Sequence, residues 1–412
     1  MGKNLRGDMS MMSFINRAIL WIALIFPWID YILKYKIRIY PISSLWDDIF
    51  ILIVWLIVLL QLKTVLKRKE IVIPFLVFTS IFFISATINQ VSIWVIQDSI
   101  RRLLLPYGVL LALSISDIKP REIILPLLVS TIPLAILGIY QYINKVPIPP
   151  DWVDSLVDTN TTRAFAIFVS PNILASFLER AEAILLGLII GSKNKGRYLF
   201  VFLFIIHFIA HIFTLSRASL ISFVISISIG LLFINILLAL GWLGTGTLIA
   251  AIIPSIRQRF LGLLSPYYKY KSALGGRLFQ WRIEIQHWKK HPILGSGPGT
   301  FGSITSWNLG LGGKFRIDML YLRILGELGI IGLIAFMWWL LSLLMELIHK
   351  LFHTNKNLDY FVIWGATVGY ISFLIHSMAN NHFEVIPHMV FTWTIIGVAL
   401  TEKKRKTWII GK

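Results

Sequence analysis

The residue types and spacings that suggest chemistry lie mostly in the second half of this 412-residue chain: arginines, a few carboxylates and one glycine-rich turn. Residues 276–288 (Gly-Arg-Leu-Phe-Gln-Trp-Arg-Ile-Glu-Ile-Gln-His-Trp) read as a short amphipathic helix that starts after a glycine pair, with Arg277, Trp281, Glu284 and Trp288 on one face. Tryptophans at this spacing anchor helices at a lipid headgroup interface, which leaves Arg277 where a lipid phosphate would sit. The bland alternative is an interfacial helix whose arginine only touches ordinary headgroups. Next comes a turn, 291–302, in which Pro292 stops the helix and Gly295 and Gly297 permit tight, exposed backbone. Such a turn would cradle phosphate, although it matches neither the P-loop nor the dinucleotide fingerprint. Arg217 lies at the end of an apolar run, where a guanidinium is costly unless it snorkels or faces a polar cavity. The planar fork of arginine grips phosphate oxygens bidentately.

Proton acceptors are fewer. Asp318 precedes an apolar helix and reads either as a general base or as a plain N-cap. His382 and Glu384, between the last two apolar runs, are the reserve candidates. His207 and His211 are four apart, a spacing that would ligate a metal, but no third ligand is evident and packing is favoured. Glu179, Arg180 and Glu182 form an intramembrane ion network or face a cavity. Lys34, Lys36 and Arg38 would meet acidic glycan or anionic lipid, or remain solvated.

The elements that must position these residues are membrane helices. Hydrophobic residues make up 57% of the chain and charged residues 14%, too apolar for a water-soluble domain of this length. Lipid cannot satisfy backbone polar groups, and the apolar runs far exceed barrel strands of about 10 residues, so the fold class is all-α and polytopic. Runs long enough to cross predict about 12 transmembrane helices. They lie near 15–33, 49–66, 71–89, 102–117, 123–144, 172–192, 198–215, 219–234, 237–255, 318–348, 359–377 and 387–401. We read one integral membrane domain over 1–412, with a large extracytoplasmic loop over 256–317 between the ninth and tenth spans. The first span, without a cleavage site, reads as a retained helix.

With a cytoplasmic N-terminus, Lys63, Lys67, Arg68, Lys69, then Lys119, Arg121, then Lys193, Lys195, Arg197, and finally Lys403, Lys404, Arg405 and Lys406 all fall inside. The large loop breaks that rule with Arg257, Arg259, Lys269, Lys271, Arg277, Arg282, Lys289, Lys290, Lys314 and Arg316. It reads as tolerated charge or as an anion-binding surface. The net charge of +19 is otherwise explained by the positive-inside bias, and the lack of cysteine removes disulfides, thiolate metal sites and cysteine nucleophiles.

In order, Arg277, Trp281, Pro292, Gly295, Gly297 and Phe301, then Asp318-Met319-Leu320-Tyr321-Leu322, then Glu327-Leu328-Gly329-Ile330-Ile331-Gly332, resemble the core signature of the O-antigen ligase and polymerase family. Arg163 with Ser170-Pro171-Asn172, and the Ser216-Arg217 junction, resemble two of its upstream motifs. The similarity runs from about residue 50 onward. The resemblance implies a GT-C-type membrane glycosyltransferase in the bacterial inner membrane, acting on its periplasmic or outer face. It implies an undecaprenyl-pyrophosphate-linked glycan donor, a glycan or lipid acceptor and surrounding membrane lipids, with no nucleotide sugar, metal, other cofactor or nucleic acid. It leaves open a chain-length regulator as a partner.

By the same resemblance Arg217 and Arg277 match the family's functional arginines and Arg163 is a third candidate. Asn172, Trp281, Arg282, Gly295, Gly297, Tyr321, His382 and Glu384 are candidates for substrate binding. Ligases of the family carry His-Asn before the Tyr-Leu step, whereas Asp318-Met319 stands here and is nearer the Asp-Asn of polymerase-like members. The sequence therefore leans toward a polymerase of lipid-linked repeat units. A ligase is the close alternative, and a multi-span transporter is an alternative of another class.

Overall fold

A computed structural model describes residues 11–148, 162–168, 170–193, 195–311 and 316–402. The expected cytoplasmic basic cluster at 403–406 and the loop lysine at 314 lie outside the described residues, as do 149–161 of the connection before Arg163.

Long apolar runs without internal polar punctuation fold into helices because each backbone group is then satisfied inside its own segment. The first part of the chain forms α1 (Met11–Tyr31), α2 (Ile42–Leu60), the short α3 (Leu62–Val65), α4 (Lys69–Ile88), α5 (Ile93–Leu103), α6 (Tyr107–Ser114) and α7 (Ile124–Ile143). Then come α8 (Pro171–Gly191), α9 (Lys195–Phe213), α10 (Arg217–Leu232) and α11 (Ile236–Ile252). The large loop is itself helical, as α12 (Pro254–Leu264), α13 (Pro266–Leu274), α14 (Arg277–Lys290) and α15 (Ile304–Asn308). The chain closes with α16 (Leu320–Phe352), α17 (Leu358–His376) and α18 (Ile386–Ala399). No strand occurs among the described residues; Pro147 and Thr162 make one isolated antiparallel bridge.

Seven helices among the described residues are long and apolar enough to cross a membrane: α1, α2, α4, α7, α9, α16 and α17. Three more apolar helices, α10, α11 and α18, are shorter. Each of the twelve expected runs falls on helix, with two differences. The run expected over 102–117 is broken, because α5 ends at Leu103 and α6 restarts after Pro106, whose missing N–H and fixed φ interrupt the ladder. The eight residues of α6 are all buried. The run over 172–192 carries Glu179, Arg180 and Glu182 and is buried along most of α8.

Packing of α8 on α9 and α17, of α16 on α4, of α10 on α11 and α17, and of α18 on α1 and α6 makes the bundle. Its core is aromatic: Trp339 meets Phe75, Phe78, Tyr107, Phe336, Phe383 and Trp393. At one end, Arg68 before α4 donates to the carbonyls of Ser114 and Leu400 at 3.1 and 3.0 Å, tying α6 and α18 together. The connections α7–α8, α9–α10, α11–α16 and α17–α18 gather at the opposite, loop end.

The loop is fastened to the bundle by hydrogen bonds. Inside α16, Gly329 has φ +67°, a kink that a Cβ would strain. The kinked turn pairs with residues 292–297: Ser296 N donates to Gly326 O, Gly297 N to Glu327 O, and Ile330 N to Pro292 O. A Cβ at Gly295, φ +68°, would run into the Glu327 carbonyl.

Candidate functional site

The loop end brings together residues far apart in sequence. Arg163, buried, sits in the connection before α8 and donates through Nε to Thr214 O at 2.8 Å and through a terminal nitrogen to Asn172 Oδ1 at 3.1 Å. Asn172 is in the first turn of α8, where Ser170 caps the helix by accepting from Asn172 N and Pro171 fits the first helical position. Its own Nδ2 donates to Asn380 Oδ1 at 2.9 Å, in the turn between α17 and α18. The same oxygen lies 3.5 Å from a terminal nitrogen of Arg277, at the start of α14. Arg277 Nε is 3.7 Å from Asp318 Oδ2, just before α16. Five side chains from the α7–α8, α11–α16 and α17–α18 connections and their helix starts thus form one continuous polar run: Arg163, Asn172, Asn380, Arg277 and Asp318.

Arg217 borders this run. It starts α10, three residues after the Thr214 carbonyl that holds Arg163, and its guanidinium lies over the Tyr268 ring at 5.2 Å. Tyr268 belongs to α13, which packs on α14. The two arginines are therefore borne by parts of the protein in mutual contact, and both are only partly exposed.

Asp318 is not the N-cap of α16. Met319 holds that position and makes no side-chain cap. The Asp318 carboxylate is 45% exposed and its backbone N–H donates to Gln280 Oε1 at 3.2 Å. His382 is buried beside His376 and His388, at ring separations of 4.9 and 5.0 Å. Burial, then the charges of His376, Arg180 and Arg277, hold its imidazole well below the ordinary range, so it stays neutral.

Several expected ligand residues instead secure the scaffold. Glu384 is buried and accepts from Arg323 at 3.1 Å, Ile304 N at 2.9 Å and Asn381 Nδ2 at 2.9 Å, so as a reserve base it is already committed. Tyr321 donates its hydroxyl to Leu374 O at 2.8 Å. Gly295 and Gly297 do not present a phosphate cradle, because the Ser296 and Gly297 N–H groups are used by α16. His287 stacks on Phe301 at 3.6 Å and bonds Ser296 Oγ, pushed down to about 4 chiefly by burial and next by His291.

The face of α14 expected to lie on headgroups packs largely on α16. Glu284 is wholly buried beside Gly326, neither carboxylate oxygen has a partner, and burial, reinforced by Glu327, pushes it up to about 9. Trp281 is half-buried with its indole nitrogen enclosed, Trp288 donates to Pro292 O at 3.1 Å, and Arg282 is exposed.

Inside the bundle, the expected ion network is present. Glu179 accepts from Ser219 and, at 2.6 Å, from Ser372, and lies 2.8 Å from His376 Nδ1. Glu182 meets His211 at 2.9 Å, and Arg180 meets His388 at 2.6 Å. His207 bonds Thr131 and the Leu203 carbonyl, which is the packing role rather than metal ligation. No cluster able to hold a metal ion occurs among the described residues. Sequence reasoning missed Asn380 as the junction and Tyr268 as the partner of Arg217; Asn380 stood beside His382 in the sequence without any spacing that marked it.

The architecture is that of a multi-pass membrane protein, with Arg163 and Arg277 in one polar run and Arg217 at its border, at one end of the bundle. Residues 183–337 match the family model described as O-antigen ligase, so that region of the chain is similar to the O-antigen ligase family. Its members are glycosyltransferase-like ligases and polymerases that act on lipid-linked glycans. A search of curated proteins gave no match.

Proposed function

We propose that the chain is a polymerase that moves a glycan from a polyprenyl diphosphate carrier to the free end of a second lipid-linked glycan. In this reading about 12 helices cross the inner membrane in a GT-C-type arrangement, with the loop end facing the periplasm or cell exterior. The observation that carries the reading is the polar run from Arg163 to Asp318, with Arg217 at its border. Glycosyl transfer from a diphosphate breaks the bond between the anomeric carbon and the phosphate oxygen, and that oxygen leaves with the electron pair. Arg217 and Arg277 hold the departing charge, and Arg163 adds a third guanidinium. The acceptor hydroxyl attacks the anomeric carbon and gives its proton to a base. Asp318 suits that step because its carboxylate is accessible and close to Arg277. His382 suits it less, since burial, then the neighbouring His376, Arg180 and Arg277, disfavour its protonation.

An apolar groove of about 460 Å³ between α9, α10 and α11 supports a lipid-linked donor. Phe208, Phe223 and Trp242 line it, and Leu220 at its edge follows Arg217 by one helical turn. We place the first isoprene units of the carrier there.

The test is reconstitution with defined lipid-linked repeat units. Wild-type protein is expected to make polymer, while Arg217→Ala and Arg277→Ala, expressed at normal levels, make none. Polymer of normal length from both variants would overturn the mechanism. Transfer to lipid A core without chain growth would reassign the enzyme as a ligase.

A further inference from the structure

We infer that Asn380 is a positioning residue: its neutral amide sets the Arg277 guanidinium against the Arg163–Asn172 pair while leaving the arginine's charge available to an anionic ligand. This deepens the proposed function and rests on it. Asn380 is 4% exposed, and its backbone N–H is fixed by the carbonyl of His376. Its side-chain oxygen faces two donors, Asn172 Nδ2 at 2.9 Å and an Arg277 terminal nitrogen at 3.5 Å. Arginine has no acceptor atom, so the oxygen must be the atom that points toward it, which fixes the orientation of the amide. Asn172 in turn accepts from Arg163 at 3.1 Å. Two guanidinium groups, from the connection before α8 and from α14, are thereby spaced by two amides.

Charge explains why amides stand at both places. Arg277 already lies 3.7 Å from the Asp318 carboxylate, and a second carboxylate at position 380 would withdraw more of the charge meant for a diphosphate, whereas an amide orients the guanidinium without neutralising it further. Asn380 Nδ2 is buried and has no partner, so the residue has donor capacity that the resting fold does not use. The other charged or titratable groups facing this turn are His376 and Arg180 from the bundle, His382 beside it, and Asp318 across Arg277.

The experiment compares Asn380→Ala, Asn172→Ala, the double variant and Asn380→Asp in the reconstituted full-length protein. Donor concentration dependence of transfer and binding of glycan-free polyprenyl diphosphate are the two readouts. Each alanine variant is expected to raise the donor KM and weaken diphosphate binding by about tenfold, with the double variant no worse than either single one. Asn380→Asp, nearly isosteric, is expected to fold as the wild type yet lose diphosphate binding and transfer near neutral pH, and to regain diphosphate binding, relative to wild type at the same pH, as pH falls and the new carboxyl is protonated. A merely structural acceptor would give no such pH profile. Wild-type-like binding by the alanine variants, losses that multiply in the double variant, or full activity of Asn380→Asp at neutral pH would overturn the inference. If the alanine variants do not fold, the Asn380→Asp profile decides alone. A wild-type protein that binds no polyprenyl diphosphate overturns the functional reading and the inference together, whereas one that binds it equally well with and without Asn380 overturns the inference only.

Discussion

At the residue scale, the separation of Arg277 from Asp318 decides how the site divides its work. At 3.7 Å the two attract each other without the close geometry of a bidentate pair, and both remain partly exposed. Asp318→Asn keeps the size of the side chain and removes the ability to take a proton. We expect that change to lower the rate of transfer by about a hundredfold or more, with donor binding little altered, as measured by single-turnover kinetics and lipid binding. An unchanged rate would move the base elsewhere. Glu284 makes a different prediction at the same scale. Its folded pKa of about 9 lies above the free value of 4.5, so the folded loop prefers the neutral acid. That preference costs nothing below pH 4.5, grows by about 1.4 kcal/mol per pH unit between the two values, and is complete above 9. Thermal unfolding of the wild type should therefore shift downward from pH 6 to 9, while Glu284→Gln stays flat. Parallel curves would show that the carboxyl is already ionised.

At the element scale, α14 and the turn after it form a clamp on the kinked start of α16. Small residues allow the approach: a Cβ at Gly326 would run into Glu284 Oε1, and one at Gly329 into the Ile293 carbonyl. Gly326→Ala should undock α14 and abolish transfer, since Arg277 rides on that helix. The second change Glu284→Ala should restore part of the protein's resistance to proteolysis in the loop, because it removes the obstructing atoms. Gly329→Ala has no such rescue, since the obstacle is backbone and φ is positive, and it should cost several kcal/mol. The same clamp explains why the glycine turn looked like a phosphate cradle in sequence. Its N–H groups do point outward from a tight turn, but toward the carbonyls of another helix.

At the scale of the whole molecule, the two ends are built differently. The end held by Arg68 is tied by one buried guanidinium that reaches carbonyls of α6 and α18 and lies 3.6 Å from Glu346 of α16. Arg68→Ala would leave these acceptors without a donor and should lower stability by about 3 kcal/mol, read as a lower melting temperature in detergent. The loop end is held by several links between its connections and helix starts, among them the buried Arg323–Glu384 pair at 3.1 Å and the Asn172–Asn380 amide hydrogen bond at 2.9 Å. Between them, inside the bundle, Glu182 pairs with His211 at 2.9 Å and Glu179 with His376 at 2.8 Å, so these costly intramembrane groups are satisfied by one another.

The apolar runs alone determined that the chain is a helical membrane protein, because period and length follow from local composition and the solvent is lipid. Arg217 was legible because an arginine at an apolar boundary is costly, Arg277 because it lies on an amphipathic helix, and Asp318 because it precedes an apolar helix, whereas Arg163 and Asn172 stood out only through the resemblance to the family's motifs. The tertiary structure decided which candidates touch. It placed Asn380 at the junction, committed Glu384 to Arg323, gave Gly295 and Gly297 to the α16 kink, and divided the run at 102–117 at Leu104–Pro106. These outcomes depend on contacts between residues separated by tens to hundreds of positions, such as Asn172 with Asn380. Such contacts are set by how whole helices pack, and no local periodicity encodes them.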